Sequence, residues 1–319
     1  MRQRSLAILS TAAVAALALA GCSSEGSPED ADESTNEAAV DLCDAAAPSG
    51  DAIDSVEVSG DFGSEAEATF DAPLEVSEVE RKVVIEGSGD AIESGEYIRY
   101  AATVFDAESG DKLGTEGYEE GSTLPAAVEA ENLFGQFLGC ATPGTRVAFT
   151  YPGQTQEGAE TASQIYVLDF FDTTPTAAWG DEQDAPEGLP IVDVADDGAP
   201  SVTLPDDFSA PEETEVATLK EGDGEVVEDG DTVFVQYLGV KGSDGSEFDS
   251  SWSRGAPTSF ATDAVIPGFT KALVGQKVGS QSIAVIPAEE GYGSSEGHEL
   301  QDETLVFVVD ILATMHAAS

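Results

Sequence analysis

Positive charge is scarce in this chain of 319 residues. It contains 12 Lys and Arg against 63 Asp and Glu, which gives a formal net charge of −51 at pH 7. Such a chain repels nucleic acid and anionic membrane surfaces at a distance. We therefore expect no nucleic-acid partner. A specific cationic partner would suit the charge, but a solvated acidic surface is the simpler interpretation.

Histidine and cysteine are almost absent from the carboxy-terminal half. The two histidines of the chain are His298 and His316, and no cysteine follows Cys140. A structural zinc site needs four such ligands, and a nucleophilic cysteine needs a neighbouring base. This half cannot assemble a zinc set or a Cys/His pair. We expect no metal and no organic cofactor.

The apolar run near the amino end is short for a membrane-spanning helix. It covers residues 6–20 and follows Arg2 and Arg4. A transmembrane helix needs about 20 apolar residues, so residues 1–21 are predicted to be an export signal.

The residues that end this signal resemble a bacterial lipobox, because Leu19, Ala20 and Gly21 precede Cys22. The resemblance implies cleavage before Cys22 and lipidation of its sulfur. Each buried CH₂ of an acyl chain contributes about 0.8 kcal/mol to membrane binding. We therefore expect a protein anchored by lipid on the extracytoplasmic face of the cell membrane. The alternative is an ordinary signal peptide with an incidental cysteine.

Cys43 and Cys140 are the two cysteines that remain once lipid accounts for Cys22. In an exported protein, two remaining thiols favour a disulfide. Two buried free thiols are the alternative.

Two stretches of biased composition divide the chain. Residues 22–45, rich in Ser, Glu, Asp and Ala, predict an acidic flexible tether. Acids, Gly and Pro mix again near residue 180, where we predict a linker over residues 177–200. Trp179 in this linker could pack on either side. The predicted domains are residues 46–176 and 201–319.

The two predicted domains are related by an internal repeat. The motif Glu-Gly-Ser-Gly at 86–89 recurs as Glu-Gly-Asp-Gly at 221–224, an offset of 135 residues. The same offset aligns Phe134 with Phe269 and Gly144 with Gly279. Because one offset holds over turn glycines and core positions, we predict two related domains in tandem.

Strand patterns dominate the second copy. Residues 232–240, 281–286 and 304–312 are rich in β-branched and aromatic side chains. Between them, Phe269, Leu273 and Val274 fit one short amphipathic helix that ends at Gly275. This composition predicts an α+β fold in which an antiparallel sheet wraps around one helix.

Five short motifs follow one another in the second copy, between residues 221 and 312. They are VQYLG at 235–239, GSEFDSS at 245–251, VIPGF at 265–269, GYG at 291–293 and LVF at 305–307. In this order they resemble the FKBP-type peptidyl-prolyl cis-trans isomerases. The resemblance implies two tandem FKBP-like domains, each a twisted antiparallel β-sheet wrapped around one short α-helix.

The resemblance also implies an apolar pocket for proline. The implied catalytic residues are Tyr237, Phe248, Asp249, Ile266, Tyr292 and Phe307, and the implied substrate-binding residues are Arg254, Val265 and Phe269. In the family, the Ile266 N–H and the Tyr292 hydroxyl would donate to substrate carbonyls. Core packing is the alternative for the apolar members, and a structural ion pair is the alternative for Asp249 and Arg254.

The reaction implied by this resemblance is rotation about an X-Pro bond, which crosses a barrier of about 18–20 kcal/mol. An apolar pocket can favour the twisted amide by removing water from its carbonyl. We expect a monomeric isomerase that assists the folding of exported polypeptides containing proline. The alternative is a binding or chaperone lipoprotein with little turnover, because Phe269 stands where many relatives carry Trp and the loop after Tyr292 lacks the prolines of its relatives.

The first copy lacks most of the pocket. At the offset of 135, Ala102 stands opposite Tyr237, Gly114 opposite Asp249 and Glu131 opposite Ile266. The remaining pairs are Leu113 with Phe248, Ala130 with Val265 and Glu157 with Tyr292. A gap of two residues could instead match Tyr100 to Tyr237. A Glu in a desolvated proline site is costly, so the first domain is predicted to be degenerate and non-catalytic.

Overall fold

The structure is a computed structural model that describes residues 41–156 and 159–317. The predicted signal peptide, Cys22, residues 22–40 of the predicted tether and Glu157 lie outside the described residues. Within the described part of the chain, no helix has both the length and the apolar character needed to cross a membrane.

The first domain is built mainly of strands. Its described helices are α1 (Leu42–Ala45), α2 (Asp51–Asp54) and α3 (Leu133–Leu138). Its described strands are β1 (Glu57–Ser59), β2 (Glu67–Thr69), β3 (Arg81–Ile85), β4 (Tyr97–Asp106), β5 (Lys112–Glu116), β6 (Ala126–Ala127), β7 (Arg146–Tyr151), β8 (Thr155–Gln156), β9 (Ala159–Glu160) and β10 (Gln164–Thr174).

The remaining elements form the second domain. Its strands are β11 (Asp181–Glu182), β12 (Ile191–Val194), β13 (Pro200–Thr203), β14 (Glu215–Glu221), β15 (Thr232–Lys241), β16 (Glu247–Ser250), β17 (Thr258–Ala261), β18 (Gln281–Ile286) and β19 (Leu305–Met315). Its described helices are α4 (Ser251–Arg254), α5 (Pro267–Leu273) and a 3₁₀ turn at Ala288–Glu290.

Both domains contain an antiparallel sheet of the same strand order. The order is β3-β7-β10-β4-β5 in the first and β14-β18-β19-β15-β16 in the second, with β11 added beside β14. Strand β4 and strand β15 begin and end 135 residues apart, and so do β7 and β18. Strands β10 and β19 each have 11 residues and begin at Gln164 and Leu305, 141 residues apart. The predicted fold of two related α+β domains in tandem is confirmed.

Helix α5 packs on one face of the second sheet and forms the core that lies under the site. Pro267 occupies the first turn, where its missing N–H leaves no hydrogen bond unmade. The apolar face of the helix buries Phe269 and Leu273 against Ile286 and Ile311. Gly275 follows the helix with φ +87°, a conformation that favours glycine, so the helix ends as predicted.

The predicted linker is part of the second domain. Strands β12 and β13 form a hairpin that includes residues 191–194 of this stretch. Val192 and Val202 of the hairpin pack with Leu238, Ile283 and other side chains on the face of the sheet opposite α5. Both faces of the sheet are therefore covered, which explains why β15 and β18 are buried along nearly their whole length.

The end of the predicted tether also has a defined structure. Residues 42–45 form helix α1, where the Asp41 side chain accepts a hydrogen bond from the Cys43 N–H. Cys43 is bonded to Cys140 in a disulfide that joins chain segments 97 residues apart. Helix α1 contacts α3 and buries Leu42 in the core of the first domain. Residues 42–45, predicted as tether, are therefore a folded part of the first domain.

Candidate active site

Tyr237, Asp249 and Arg254 form a closed hydrogen-bonded network. The buried Tyr237 on β15 donates its hydroxyl to Asp249 Oδ2 at 2.5 Å. Arg254 Nη2 donates to the same hydroxyl at 2.8 Å, and its Nη1 pairs with Asp249 Oδ1. Burial, together with the hydrogen bond to Asp249, raises the pKa of Tyr237 to about 12. The hydroxyl therefore keeps its proton and acts as a donor at neutral pH.

Two serines fix this network to the sheet. The buried Ser251 accepts from the Tyr237 N–H at 2.7 Å and donates to Gln236 Oε1 at 2.5 Å. Ser250 caps α4 by accepting from the Ser253 N–H at 3.2 Å. Arg254 lies in the last turn of this four-residue helix, just before the left-handed Gly255, φ +82°. Sequence reasoning missed both serines, although a Ser three residues before the capped N–H is a recognisable start signal for a helix.

Four aromatic rings meet beside the network. Phe248 and Phe307 lie edge to face with ring centres 5.4 Å apart, and Phe269 and Phe307 with centres 4.9 Å apart. Tyr237 lies 5.9 Å from Phe269. Edge-to-face contacts of this kind are favourable beyond simple burial. The rings therefore form one rigid wall.

Two further residues of this wall were not predicted. Phe260 on β17 lies edge to face with Tyr237 at 5.6 Å and with Phe269 at 5.8 Å. On β15, Gly239 lies against the rings of Phe248 and Phe307. A Cβ atom there would come within 2.7 Å of Phe248 Cζ and 2.9 Å of Phe307 Cε1. A residue without a side chain is therefore needed at position 239.

The start of α5 carries a backbone donor that no described residue uses. Ile266 is the N-cap residue, and its carbonyl accepts from the N–H groups of Phe269 at 2.9 Å and Thr270 at 3.1 Å. Its own N–H has no acceptor among the described residues. Val265 and Ile266 pack, half-buried, against the core that contains Phe269 and Phe307. The Ile266 N–H is thus positioned to meet an outside acceptor.

The Tyr292 hydroxyl is a second donor that has no hydrogen-bond partner among the described residues. The Tyr292 ring stacks on His298, with centres 4.1 Å apart and planes within 8°. The Leu300 N–H donates to His298 Nδ1 at 3.1 Å, and the Leu300 side chain is buried in the core. Burial, and then the nearby Asp249, raises the pKa of Tyr292. Its hydroxyl binds no other described residue. The loop without prolines therefore still folds against the pocket.

All nine predicted pocket residues lie in one region of the second domain. Seven belong to the core beside α5 or pack against it, and the two charged residues bind Tyr237. The seven are Tyr237, Phe248, Val265, Ile266, Phe269, Tyr292 and Phe307. The structure therefore brings together the residues that the resemblance implied, while their catalytic roles stay predictions.

The equivalent place in the first domain lacks this arrangement. The pair Val104 and Gly114 occupies the register that Gly239 and Asp249 occupy in the second domain. The pairing of Ala102 with Leu168 matches that of Tyr237 with Val309, so no gap of two residues exists in this strand. Tyr100 packs edge to face on Phe134, with ring centres 5.0 Å apart. Leu113, opposite Phe248, is 52% exposed.

The second domain is similar in sequence to known proteins. The family model described as FKBP-type peptidyl-prolyl cis-trans isomerase matches residues 224–312. A probable FK506-binding protein of Corynebacterium glutamicum is 38% identical over 105 residues, which are 33% of this chain and 89% of that protein. The FK506-binding protein of Streptomyces anulatus is 42% identical over 108 residues, which are 32% of this chain and 87% of that protein.

Two solved structures are also similar. The crystal structure of FkpA from Escherichia coli matches at 34% identity and a TM-score of 0.32, over 42% of this chain and 54% of that one. The structure of the three FKBP domains of wheat FKBP73 matches at 19% identity and a TM-score of 0.30, over 74% of this chain and 94% of that one.

The chain belongs to the FKBP-type peptidyl-prolyl cis-trans isomerases. The family match and the candidate site both lie in the second domain.

Proposed function

We propose that the pocket of the second domain catalyses rotation of X-Pro bonds in exported polypeptides. One observation carries this proposal. Two donors that no described residue uses, the Ile266 N–H and the Tyr292 hydroxyl, belong to residues that pack against the same aromatic core. In this proposal a proline ring packs on the wall, and the carbonyls that flank it accept hydrogen bonds from the two donors.

The pocket acts on the amide without proton transfer or a covalent step. Resonance holds the X-Pro amide planar, and the barrier of about 18–20 kcal/mol falls if the twisted form is favoured. Phe248, Phe269 and Phe307 exclude water from the carbonyl, which favours the less charge-separated twisted amide. The two donors hold the flanking backbone in the turned shape. Each 1.36 kcal/mol by which the barrier falls raises the rate about tenfold.

Asp249 orients the substrate and does not act as a base. Its Oδ2 accepts from Tyr237, and its Oδ1 pairs with Arg254. Both oxygens are therefore occupied by donors. The carboxylate forms a fixed negative edge of the proline site, and Arg254 balances its charge.

The first domain acts as a non-catalytic module. It has Gly114 in the register of Asp249 and Ala102 in that of Tyr237. With neither the network nor an aromatic residue at position 113, it has no means to orient an X-Pro amide. We propose that it supports or positions the isomerase domain.

The site works on the extracytoplasmic face of the cell membrane. The export signal and lipobox pattern that end at Cys22 support this location. The bond between Cys43 and Cys140 supports it too, because disulfides persist in oxidising compartments. In this proposal the chain is a monomer held by lipid on Cys22, and its substrates are exported polypeptides that contain proline.

A prolyl-peptide isomerisation assay on the full chain tests the proposal. Asp249→Asn removes the charge from the network, and we expect kcat/KM to fall about tenfold. Glu131→Gln makes the same acid-to-amide change in the first domain, opposite Ile266, and should leave the rate unchanged. A rate for the intact chain no higher than the uncatalysed rate would reject catalysis. Binding of a prolyl peptide under those conditions would instead favour a chaperone module.

A further inference from the structure

A cavity of about 600 Å³ lies between the two domains, and none of the nine predicted pocket residues lines it. The first domain contributes residues 117–125 and the end of β10, and the second contributes Trp179 and the end of β19. Ligand pockets have volumes of about 300–1,000 Å³ and favour domain interfaces. The cavity therefore has the size and place of a binding site separate from the proline pocket.

Direct contacts beside the cavity fix the two domains. The His316 N–H donates to the Gly121 carbonyl at 2.7 Å. The His316 ring binds Asp231 and Glu225, each at 2.9 Å. Gly121 has φ +66°, and a Cβ atom there would come within 2.4 Å of His316 Cδ2. The close approach of these two segments keeps the walls of the cavity at a set distance.

Each aromatic side chain that lines the cavity also contacts a neighbouring residue that fixes its position. Trp179 lies over Gly279, where a Cβ atom would come within 2.7 Å of Trp179 Cε2. Its side chain is nevertheless 43% exposed, which leaves part of it free for contact. Phe171 lies edge to face with Phe62 at 5.6 Å, and the Tyr118 hydroxyl is hydrogen-bonded to Thr103 at 3.0 Å. The Arg99 guanidinium lies over the Phe171 ring, 4.9 Å from its centre. The aromatic surface open to an occupant is therefore that of Trp179.

The charge on the walls is negative. Four carboxylates line the cavity, and Arg99, which already pairs with Asp172 at 2.7 Å, is its one guanidinium. Glu225 accepts from His316. The side-chain carboxylates of Glu119 and Glu120 accept no hydrogen bond from any described residue. An occupant with positive charge would therefore find, in the lining of one cavity, two carboxylates without a hydrogen bond from a described residue and the partly exposed Trp179.

We propose that this cavity binds a short cationic segment of a polypeptide. A Lys or Arg side chain would contact Trp179, as cations favour indole faces, and pair with Glu119 and Glu120. Apolar neighbours would pack on the half-buried Pro125 and the exposed Pro175. The identification of this segment as part of a client rests on the proposed function. With one segment held here, the effective concentration of the client at the proline pocket of the same chain rises.

Calorimetric titration of the full chain with two proline-free peptides tests this site. The probe is acetyl-Gly-Lys-Leu-Lys-Gly-amide, and its match has Glu in place of each Lys. We expect the lysine peptide to bind, the glutamate peptide not to bind, and the affinity to weaken as salt is added. The double variant Glu119→Gln with Glu120→Gln should weaken binding about tenfold.

Matched variants separate this site from other effects. The double change Glu212→Gln with Glu213→Gln removes the same charge from another exposed pair of neighbouring glutamates and should leave affinity unchanged. Trp179→Leu should weaken binding without changing net charge. Asp249→Asn should not alter it, so a failure of the proline pocket does not count against this site. The proposal is overturned if the lysine peptide does not bind, or if its affinity survives loss of Glu119 and Glu120.

Discussion

Tyr237 donates its hydroxyl to Asp249 at 2.5 Å while it accepts from Arg254 at 2.8 Å. Both roles of this hydroxyl are thus used inside the protein. Tyr292, in contrast, has a hydroxyl that binds no described residue. The two tyrosines therefore do different work in the same pocket. Tyr237 holds the carboxylate in place, and Tyr292 is available to the substrate.

Tyr237→Phe removes the hydroxyl and keeps the ring in the aromatic wall. A hydrogen bond to a charged group contributes about 1.5–3 kcal/mol, so we expect the free energy of unfolding to fall by about 2 kcal/mol. We also expect kcat/KM to fall about tenfold, because Asp249 is less well oriented. Prolyl-peptide kinetics and urea unfolding measure both. Tyr292→Phe is the control, with lower kcat/KM and unchanged stability. Full activity of Tyr237→Phe would mean that the network is a structural ion pair only.

Gly239→Ala places a methyl group against two aromatic rings. The new Cβ would lie 2.7 Å from Phe248 Cζ and 2.9 Å from Phe307 Cε1, so the rings must move apart. Overpacking of this kind costs about 1–3 kcal/mol of stability, and we expect kcat/KM to fall with it. Gly114→Ala is the matched control, since nothing lies within 4 Å of a Cβ atom there. Equal stability of the two variants in urea would show that the rings are not held as described.

Eight of the nine pocket residues could be predicted because each lies in a short motif whose order along the chain resembles one family, and Arg254 follows the second motif by three positions. The part played by Gly239 could not, since two rings from different strands cross above it and only the folded sheet brings them there. The hairpin of β12 and β13 was missed for another reason. Its two strands have four residues each, too few for alternation to stand out against surrounding Gly, Pro and acids.

The buried ion pair of the first domain should matter more than the exposed pair of Arg99 and Asp172. Arg146 and Asp169 have fully buried side chains joined at 2.5 Å, and Arg146 also donates to the carbonyls of Gly60, Asp61 and Ser64. Asp169→Ala leaves a buried guanidinium without its partner, which costs about 3–5 kcal/mol.

Asp172→Ala is the matched control for this pair. It breaks the pair with Arg99, in which both side chains are about half exposed, at a cost of less than about 1 kcal/mol. Urea unfolding followed by circular dichroism compares the two variants. Similar urea midpoints for Asp169→Ala and Asp172→Ala would contradict the claim that the buried pair contributes more to stability than the exposed pair.

His316 should make the stability of the chain depend on pH. Hydrogen bonds to Asp231 and then to Glu225 raise the pKa of His316 above its ordinary value. The folded chain therefore favours the protonated ring. This stabilisation is complete below the unfolded-state pKa of about 6.5 and is lost as pH rises through the higher folded-state pKa.

His316→Gln provides the measurement for this effect. It should lower the melting temperature more at about pH 6 than at about pH 9, because only the protonated ring is favoured. The lowered pKa of Asp231 does not affect the comparison between about pH 6 and about pH 9. The stability that Asp231 contributes is lost only under more acidic conditions. A loss that is the same at both pH values would rule out a charged His316.

Catalysis of a refolding reaction limited by prolyl isomerisation tests the central claim, that the second domain alone holds the working site. The uncatalysed slow phase takes about 10–100 s, and the intact chain should shorten it. Phe307→Leu keeps apolar volume and removes a ring of the wall, and it should reduce the acceleration about tenfold. Tyr166→Leu changes the equivalent residue of β10, 141 positions earlier than Phe307, and should keep full acceleration. No acceleration by the intact chain, or an equal loss in both variants, would contradict the account.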